Sequence, residues 1–164
     1  LNYGKKFFDR VLIVRPHNVY GPNMGLGHVV PQLTEKICHF LKENPNETKV
    51  KIPLVGKGEE TRAFVYVDDF IEGTYQVMSK GEHLNIYHIG TMEEISIKNL
   101  VSMIGQSMGH EIETNPGPEH EGGTPRRCPD TKKVAGLGYS PKVSLKAGLE
   151  KTTNWYRKYF EEQA

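Results

Sequence analysis

Val11-Leu12-Ile13-Val14 runs straight into Arg15-Pro16-His17-Asn18-Val19-Tyr20-Gly21-Pro22, and this junction constrains the fold more than any other stretch. Four consecutive apolar residues, three of them β-branched, predict a strand buried on both faces, as in a parallel sheet. The strand then stops in a dense run of polar and turn-forming residues. A β-turn accounts for such a run, since Pro fixes φ and Gly frees it. A ligand crevice beyond the carboxyl end of a parallel strand accounts for it equally.

With 164 residues the chain fits one domain, or one with a small appendage. A net charge of +1 argues against a polyanion-seeking basic surface, so nucleic acid is not an expected partner. Cys38 and Cys128 are the only cysteines and form no CxxC, which points to a reducing, cytoplasmic setting. No apolar run reaches ~18 residues and no charged-then-apolar leader opens the chain, so neither a membrane span nor a secretory signal is expected. The sequon Asn46-Glu47-Thr48 is accordingly read as chance. Leu1 is not a start Met, and the sequence reads as one cut from within a larger protein.

Residues 21–28 form a glycine-rich loop. Pro31 suits a first helical position, with Leu33, Ile37, Phe40 and Leu41 on one face of a helix that should end between Glu43 and Thr48. A short strand over Val50–Leu54 precedes the Gly56-Lys57-Gly58 turn. Residues 62–67 read as a strand, with Asp68 as the N-cap of a helix through Phe70, Ile71, Tyr75 and Met78. Leu84–Ile89 is another strand, ended by Gly90. Ser96 caps a helix to about Met108, and a strand and the 115–125 loop fall before a short helix from Asp130. That helix closes at Gly136 or Gly138, and Ser144 caps a last helix reaching about Glu161. The order is β-α-β-β-α-β-α-β-α-α, an α/β or α+β chain.

No GxSxG, HExxH or GxxxxGK[ST] occurs, and the seven histidines are scattered singly, so no metal site is expected. Arg62 and the Arg126-Arg127 pair present guanidinium forks that can each take two phosphate oxygens, and two such forks can clamp a diphosphate. Pairing with Glu59, Glu60 or Asp130 is the competing account. Asn18 can donate and accept at a strand end, toward a phosphate or sugar hydroxyl, or close an Asx-turn on its own backbone. His17 can face a cofactor ring or fill a groove.

Taken in order, these segments resemble the extended short-chain dehydrogenase/reductases. Arg15 to Pro22 resembles their R-x-x-N-x-Y-G-P segment, and Val30-Pro31 the start of their substrate-domain helix. Gly56 to Asp69 resembles G-x-G-x-x-x-R-x-F-x-Y-V-x-D, and Tyr87-His88-Ile89-Gly90 the "YNIG" strand. Arg127-Cys128-Pro129-Asp130, Leu137-Gly138-Tyr139-Ser140-Pro141 and Gly148-Leu149 resemble the closing pattern. The similarity is to nucleotide-sugar epimerases, dehydratases and decarboxylases, among them UDP-glucuronate decarboxylases, dTDP-glucose 4,6-dehydratases and GDP-mannose 3,5-epimerases.

The resemblance implies the C-terminal part of a Rossmann-type extended short-chain reductase with the smaller α/β substrate-binding domain. Residues 1–22 would be the last of the Rossmann domain and the crossover, and 23–164 the nucleotide-sugar-binding domain with returning elements. It implies that Asn18, His28, Val29, Arg62, Arg126 and Arg127 contact substrate, with Val29 and His28 near the diphosphate at a helix N-terminus. Pro16 and His17 would lie beside the nicotinamide of NAD or NADP. The expected partners are a nucleotide-diphosphate sugar, the N-terminal Rossmann half of the same protein and, in the complete enzyme, a second copy. The family's G-x-x-G-x-x-G and Tyr-x-x-x-Lys do not occur in these residues; Tyr3-Gly4-Lys5-Lys6 puts Phe7 at the fourth place. No catalytic residue is therefore assigned here, and the chain alone is expected to be inactive. The alternative is a non-catalytic module that binds a nucleotide sugar or a protein.

Overall fold

A computed structural model describes residues 2–47, 49–118 and 122–163. Thr48 of the sequon, and 119–121 of the expected 115–125 loop, lie outside the described residues. In chain order the elements are α1 (Asn2–Phe7), β1 (Ile13–Pro16), β2 (Val19–Tyr20), α2 (Val29–Glu43), β3 (Lys49–Pro53), β4 (Thr61–Ala63), β5 (Val65–Tyr66), α3 (Val67–Lys80), β6 (Ile86–Ile89), β7 (Glu94–Ser96), α4 (Ile97–Ser107), β8 (Glu111–Asn115), β9 (Arg126–Arg127), α5 (Lys132–Ala135) and α6 (Leu145–Glu162). Two compact units are interleaved along the chain. One is built from Leu1–Val19, Ala63–Glu94 and Cys128–Ser144, the other from Tyr20–Arg62, Ile95–Arg127 and Leu145–Ala164. This division follows compactness, whereas the spans 1–22 and 23–164 are contiguous.

In the first unit β1 pairs in parallel with β6, Ile13 opposite Ile86 and Pro16 opposite Ile89. The parallel pairing expected of the 11–14 run is present, but the strand lies two residues further on. Pairing with 86–89 sets its bounds, and hydropathy does not. Ile13 and Val14 are half-buried rather than enclosed, because β1 has a single strand neighbour among the described residues. Val77, Tyr87, Ile89, Val134 and Tyr139 make the core of this unit, with Leu12, Val14, Phe70 and Leu137 packed on it. Helix α3 comes close because residue 73 is glycine: a Cβ there would stand 2.7 Å from Ile89 Cγ2 and 2.9 Å from Tyr139 Cε2. The Tyr139 hydroxyl donates to the Gly90 carbonyl at 2.9 Å. Burial, with the Asp69 carboxylate adding to it, pushes that phenol up to about 12.

The strand expected over 62–67 is split into β4 and β5, and α3 begins at Val67, so Asp68 lies inside the first turn instead of capping it. Its neighbour Asp69 does the capping-type work elsewhere. Buried at 4% exposure, it accepts from the backbone N–H groups of Lys142 and Val143, both at 2.9 Å. The carboxylate thereby ties a loop to a helix N-terminus, where negative charge is also favoured.

The second unit packs α2, α4 and α6 around one another and against the parallel pair β3–β8. Of the face expected for α2, Leu33 and Ile37 are buried and Phe40 and Leu41 half-buried, and Val30 is buried with them. It starts at Val29, which puts Pro31 third in the helix, still within the turn whose amides lack intrahelical acceptors. Ser96 caps α4 as expected, accepting from Asn99 N–H at 3.2 Å. In α6 the buried Thr152 and Thr153 return their hydroxyls to the carbonyls of Gly148 and Leu149, at 2.7 and 2.8 Å. The Thr153 hydroxyl also meets that of Ser107 on α4 at 2.9 Å. Tyr20 donates to the Leu145 carbonyl at 3.2 Å, and Tyr156 to that of Met24, so the glycine-rich loop is held against α6 by two phenols.

Candidate functional site

At the end of β1 the chain is pinned residue by residue. Pro16 is exposed opposite Ile89, and the His17 amide donates to the Ile89 carbonyl at 3.1 Å. The His17 ring meets that of His88, Nε2 to Nδ1 at 2.6 Å, with ring centroids 4.9 Å apart. Gly90 makes room for this: a Cβ there would lie 3.1 Å from His17 Cβ and 3.0 Å from Pro129 Cγ. Burial holds the His17 imidazole below its ordinary value, and His88 and Arg15 push the same way.

Asn18 follows in the left-handed region, φ 42°, a conformation that asparagine tolerates better than most residues. Its Nδ2 donates to the Ala63 carbonyl at 2.8 Å, and its own carbonyl accepts from Val65 N–H at 3.3 Å. Neither sequence reading anticipates this use. The amide nitrogen fastens the strand end to a segment 45 residues further on instead of closing an Asx-turn.

The expected phosphate-binding arginines divide by strand position. β4 and β9 run parallel, with Thr61 opposite Arg126 and Arg62 directly opposite Arg127. Residues paired across strands share a face, so Arg62 and Arg127 emerge side by side, whereas Arg126, one residue away, alternates to the other face. Like charges placed opposite each other are unfavourable on their own. Among the described residues no carboxylate forms an ion pair with either of them. Arg62 Nη1 donates to its neighbour's carbonyl, Thr61 O, at 2.7 Å, and Arg127 makes a long 3.5 Å contact to the Thr124 hydroxyl.

Arg62 opens onto a cavity of about 240 Å³ whose lining includes Val55, Lys57, Glu59, Glu60 and Thr124. Gly56 and Gly58, with φ of 63° and 69°, form the turn read from the sequence, and that turn is one wall of the cavity. Gly58 has no spare room either, since a Cβ would sit 2.8 Å from Leu54 Cδ1 and 3.1 Å from the Lys98 amide.

His28 is exposed and is the N-cap residue of α2, but its side chain makes no capping bond; Val29 is the first helical residue. With no acidic residue in the first turn, this helix end keeps the partial positive charge that its unpaired amides create.

Lys57, Glu59, Glu60 and Thr124 join Arg62 at the cavity, and no local sequence pattern marks them as ligand contacts. The sequence treats the two glutamates only as candidate ion-pair partners for Arg62. His88 and Asp69 are likewise unanticipated. Their partners lie 71 and 73 or more residues away, so no local spacing announces them.

Residues 1–90 match the NAD dependent epimerase/dehydratase family, and the chain belongs to that family. It is 33% identical over 147 residues to GDP-L-fucose synthase 1 of Arabidopsis thaliana, covering 87% of this chain and 44% of that protein. It is 33% identical over 169 residues to the human dTDP-D-glucose 4,6-dehydratase, covering 97% and 45%. Among solved structures, UDP-glucose 4-epimerase of Thermotoga maritima with UDP-glucose superposes with a TM-score of 0.82 at 28% identity, over 97% of this chain and 50% of that one. UDP-glucuronic acid 4-epimerase of Bacillus cereus, in complex with UDP-glucuronic acid and NAD, gives 0.79 at 29% identity, over 96% and 48%. The chain thus spans about half the length of the relatives it matches. Its fold is the α/β arrangement of Rossmann-type epimerase/dehydratases over that half, in agreement with the resemblance to the C-terminal part of extended short-chain reductases.

NAD is bound in that relative, but the 164 residues contain no G-x-x-G-x-x-G to receive a dinucleotide pyrophosphate. The residues present do not fit the main part of such a site.

Proposed function

We propose that this chain binds the nucleoside-diphosphate part of a nucleotide sugar, as the C-terminal part of an NAD(P)-dependent epimerase, dehydratase or decarboxylase. The observation that carries the reading is the placement of Arg62 directly opposite Arg127, with no carboxylate paired to either among the described residues. Two guanidinium forks on one sheet face are mutually repulsive until an anion joins them, and a diphosphate offers enough oxygens to engage both. Arg62 also opens onto a cavity with a glycine turn on its wall, where backbone can approach a ligand closely.

Within this reading His28 and Val29 present the amide end of α2 to a phosphate. Arg126 is assigned a separate ribose or phosphate contact, in keeping with its opposite strand face. Pro16 and His17 would border the nicotinamide in the complete enzyme, and Asn18 would offer its Oδ1 to the substrate while its Nδ2 stays on Ala63. No residue in the chain is assigned to proton or hydride transfer.

The test is calorimetric titration of UDP, dTDP, GDP and CDP into the wild type and Arg62→Ala. Loss of a charge-assisted pair is expected to weaken every diphosphate by about tenfold or more. Equal affinity in the variant overturns the assignment. Mixing the chain with NAD and UDP-glucose, dTDP-glucose or GDP-mannose is expected to give no turnover; turnover would place catalytic residues in this chain after all.

A further inference from the structure

We infer that Glu59 and Glu60 make the Arg62 cavity selective for guanine nucleoside diphosphates, an inference that rests on the cavity taking a nucleoside diphosphate at all. The cavity is lined by two acids and two bases, Glu59, Glu60, Lys57 and Arg62. Among the described residues none of the four is ion-paired with another. A mixed-sign lining that does not neutralise itself suits a ligand that is itself mixed, negative at one end and rich in donors at the other.

Glu60 is the better placed of the two acids. It is half-buried where Glu59 is exposed, and its backbone is fixed, its carbonyl accepting from Ile97 N–H at 3.0 Å. Two residues earlier, Gly58 accepts from Lys98 N–H at 2.9 Å, so the turn that carries the acids is anchored to the start of α4.

An ionised carboxylate only accepts hydrogen bonds. The phosphates of a nucleoside diphosphate have no donors to offer it, so its partners must lie on the ribose or the base. Guanine places N1–H beside its N2 amino group, two parallel donors that match the two carboxylate oxygens. Uracil and thymine flank one N3–H with two carbonyl oxygens, which repel a carboxylate. Adenine and cytosine set a single amino group next to a ring acceptor. A site whose polar groups fit one pattern of donors rejects ligands that lack it strongly, because its own groups are left unpaired. With the arginine forks on the diphosphate, the acids read the base.

The experiment is titration of GDP, IDP, UDP, dTDP and ADP into the wild type, Glu60→Gln, Glu59→Gln and Arg62→Ala. GDP is expected to bind the wild type about tenfold or more tightly than UDP, dTDP or ADP, with IDP, which lacks the N2 amino group, in between. Glu60→Gln is expected to shrink the GDP-to-UDP ratio, and Glu59→Gln to shrink it less. UDP binding as tightly as GDP overturns the inference. If both equally exceed dTDP, the acids hold the ribose diol instead. A GDP-to-UDP ratio unchanged in both Glu60→Gln and Glu59→Gln likewise overturns it, since the acids are then not what reads the base. The diphosphate reading is judged separately, by the common loss in Arg62→Ala. No binding by any of the five overturns both.

Discussion

His17 Nε2 lies 2.6 Å from His88 Nδ1 at the carboxyl end of two parallel strands. Each neutral imidazole has one donor and one acceptor nitrogen, so the pair can share a single hydrogen, but two imidazolium rings have only donors to present. Burial, His88 and Arg15 all favour the neutral form of His17.

A pH dependence follows. The unfolded chain takes up a proton on His17 near the ordinary value of 6.5, while the folded chain takes it up only at lower pH. Above that value the group contributes nothing to the slope. As pH falls below it, the unfolded state binds more protons and stability drops, levelling off once the folded ring is also charged. Urea denaturation at pH 7.5 and 5.5 should show the loss, and His88→Asn, which keeps a hydrogen-bonding side chain without a titrating ring, should reduce it. An undiminished loss in the variant would remove His88 from the account.

Asp69 is expected to matter more to stability than its position in an exposed-looking acidic pair suggests. Asp69→Ala leaves the amides of Lys142 and Val143 without their acceptor and should cost about 2–4 kcal/mol by urea denaturation. Asp68→Ala, at an exposed first-turn position, should cost less than about 1 kcal/mol. Equal costs would contradict the assignment.

At Gly105, α4 packs directly against Ile112 of β8. A Cβ there would stand 2.1 Å from Ile112 Cγ1 and 3.0 Å from the His110 carbonyl. Gly105→Ala should therefore destabilise by about 1–3 kcal/mol, despite the better helix propensity of alanine. Adding Ile112→Ala removes the principal clash, so the double variant should lose less than the sum of the two singles.

The elements that rest on local chemistry were legible in the sequence. The Ser96 cap, the buried stripe of α2 and the Gly56–Gly58 turn need only neighbouring residues, and each lies where its pattern indicates. What was not legible depends on distant partners. The apolar run at 11–14 marks a strand, but the paired residues are 13–16, since the ladder with 86–89 sets the register. Asp68 and Asp69 are equivalent in composition, and only the loop at 142–143 decides which is buried. In the candidate site, Arg62 and Arg127 could be named, but their placement opposite each other is a property of β4 and β9. The glutamates at the cavity were legible as charges, and their lack of ion partners among the described residues was not.

The interleaving of the two compact units has a consequence for how the chain folds. Gathering 1–19, 63–94 and 128–144 into one body closes 20–62 and 95–127 as loops, and those loops are most of the other body. Loop-closure entropy grows only slowly with length, so once the first body forms, the second condenses from segments whose ends are already held. The reverse order gives the same advantage to the first. Neither body corresponds to a continuous stretch that could be cut out and expressed.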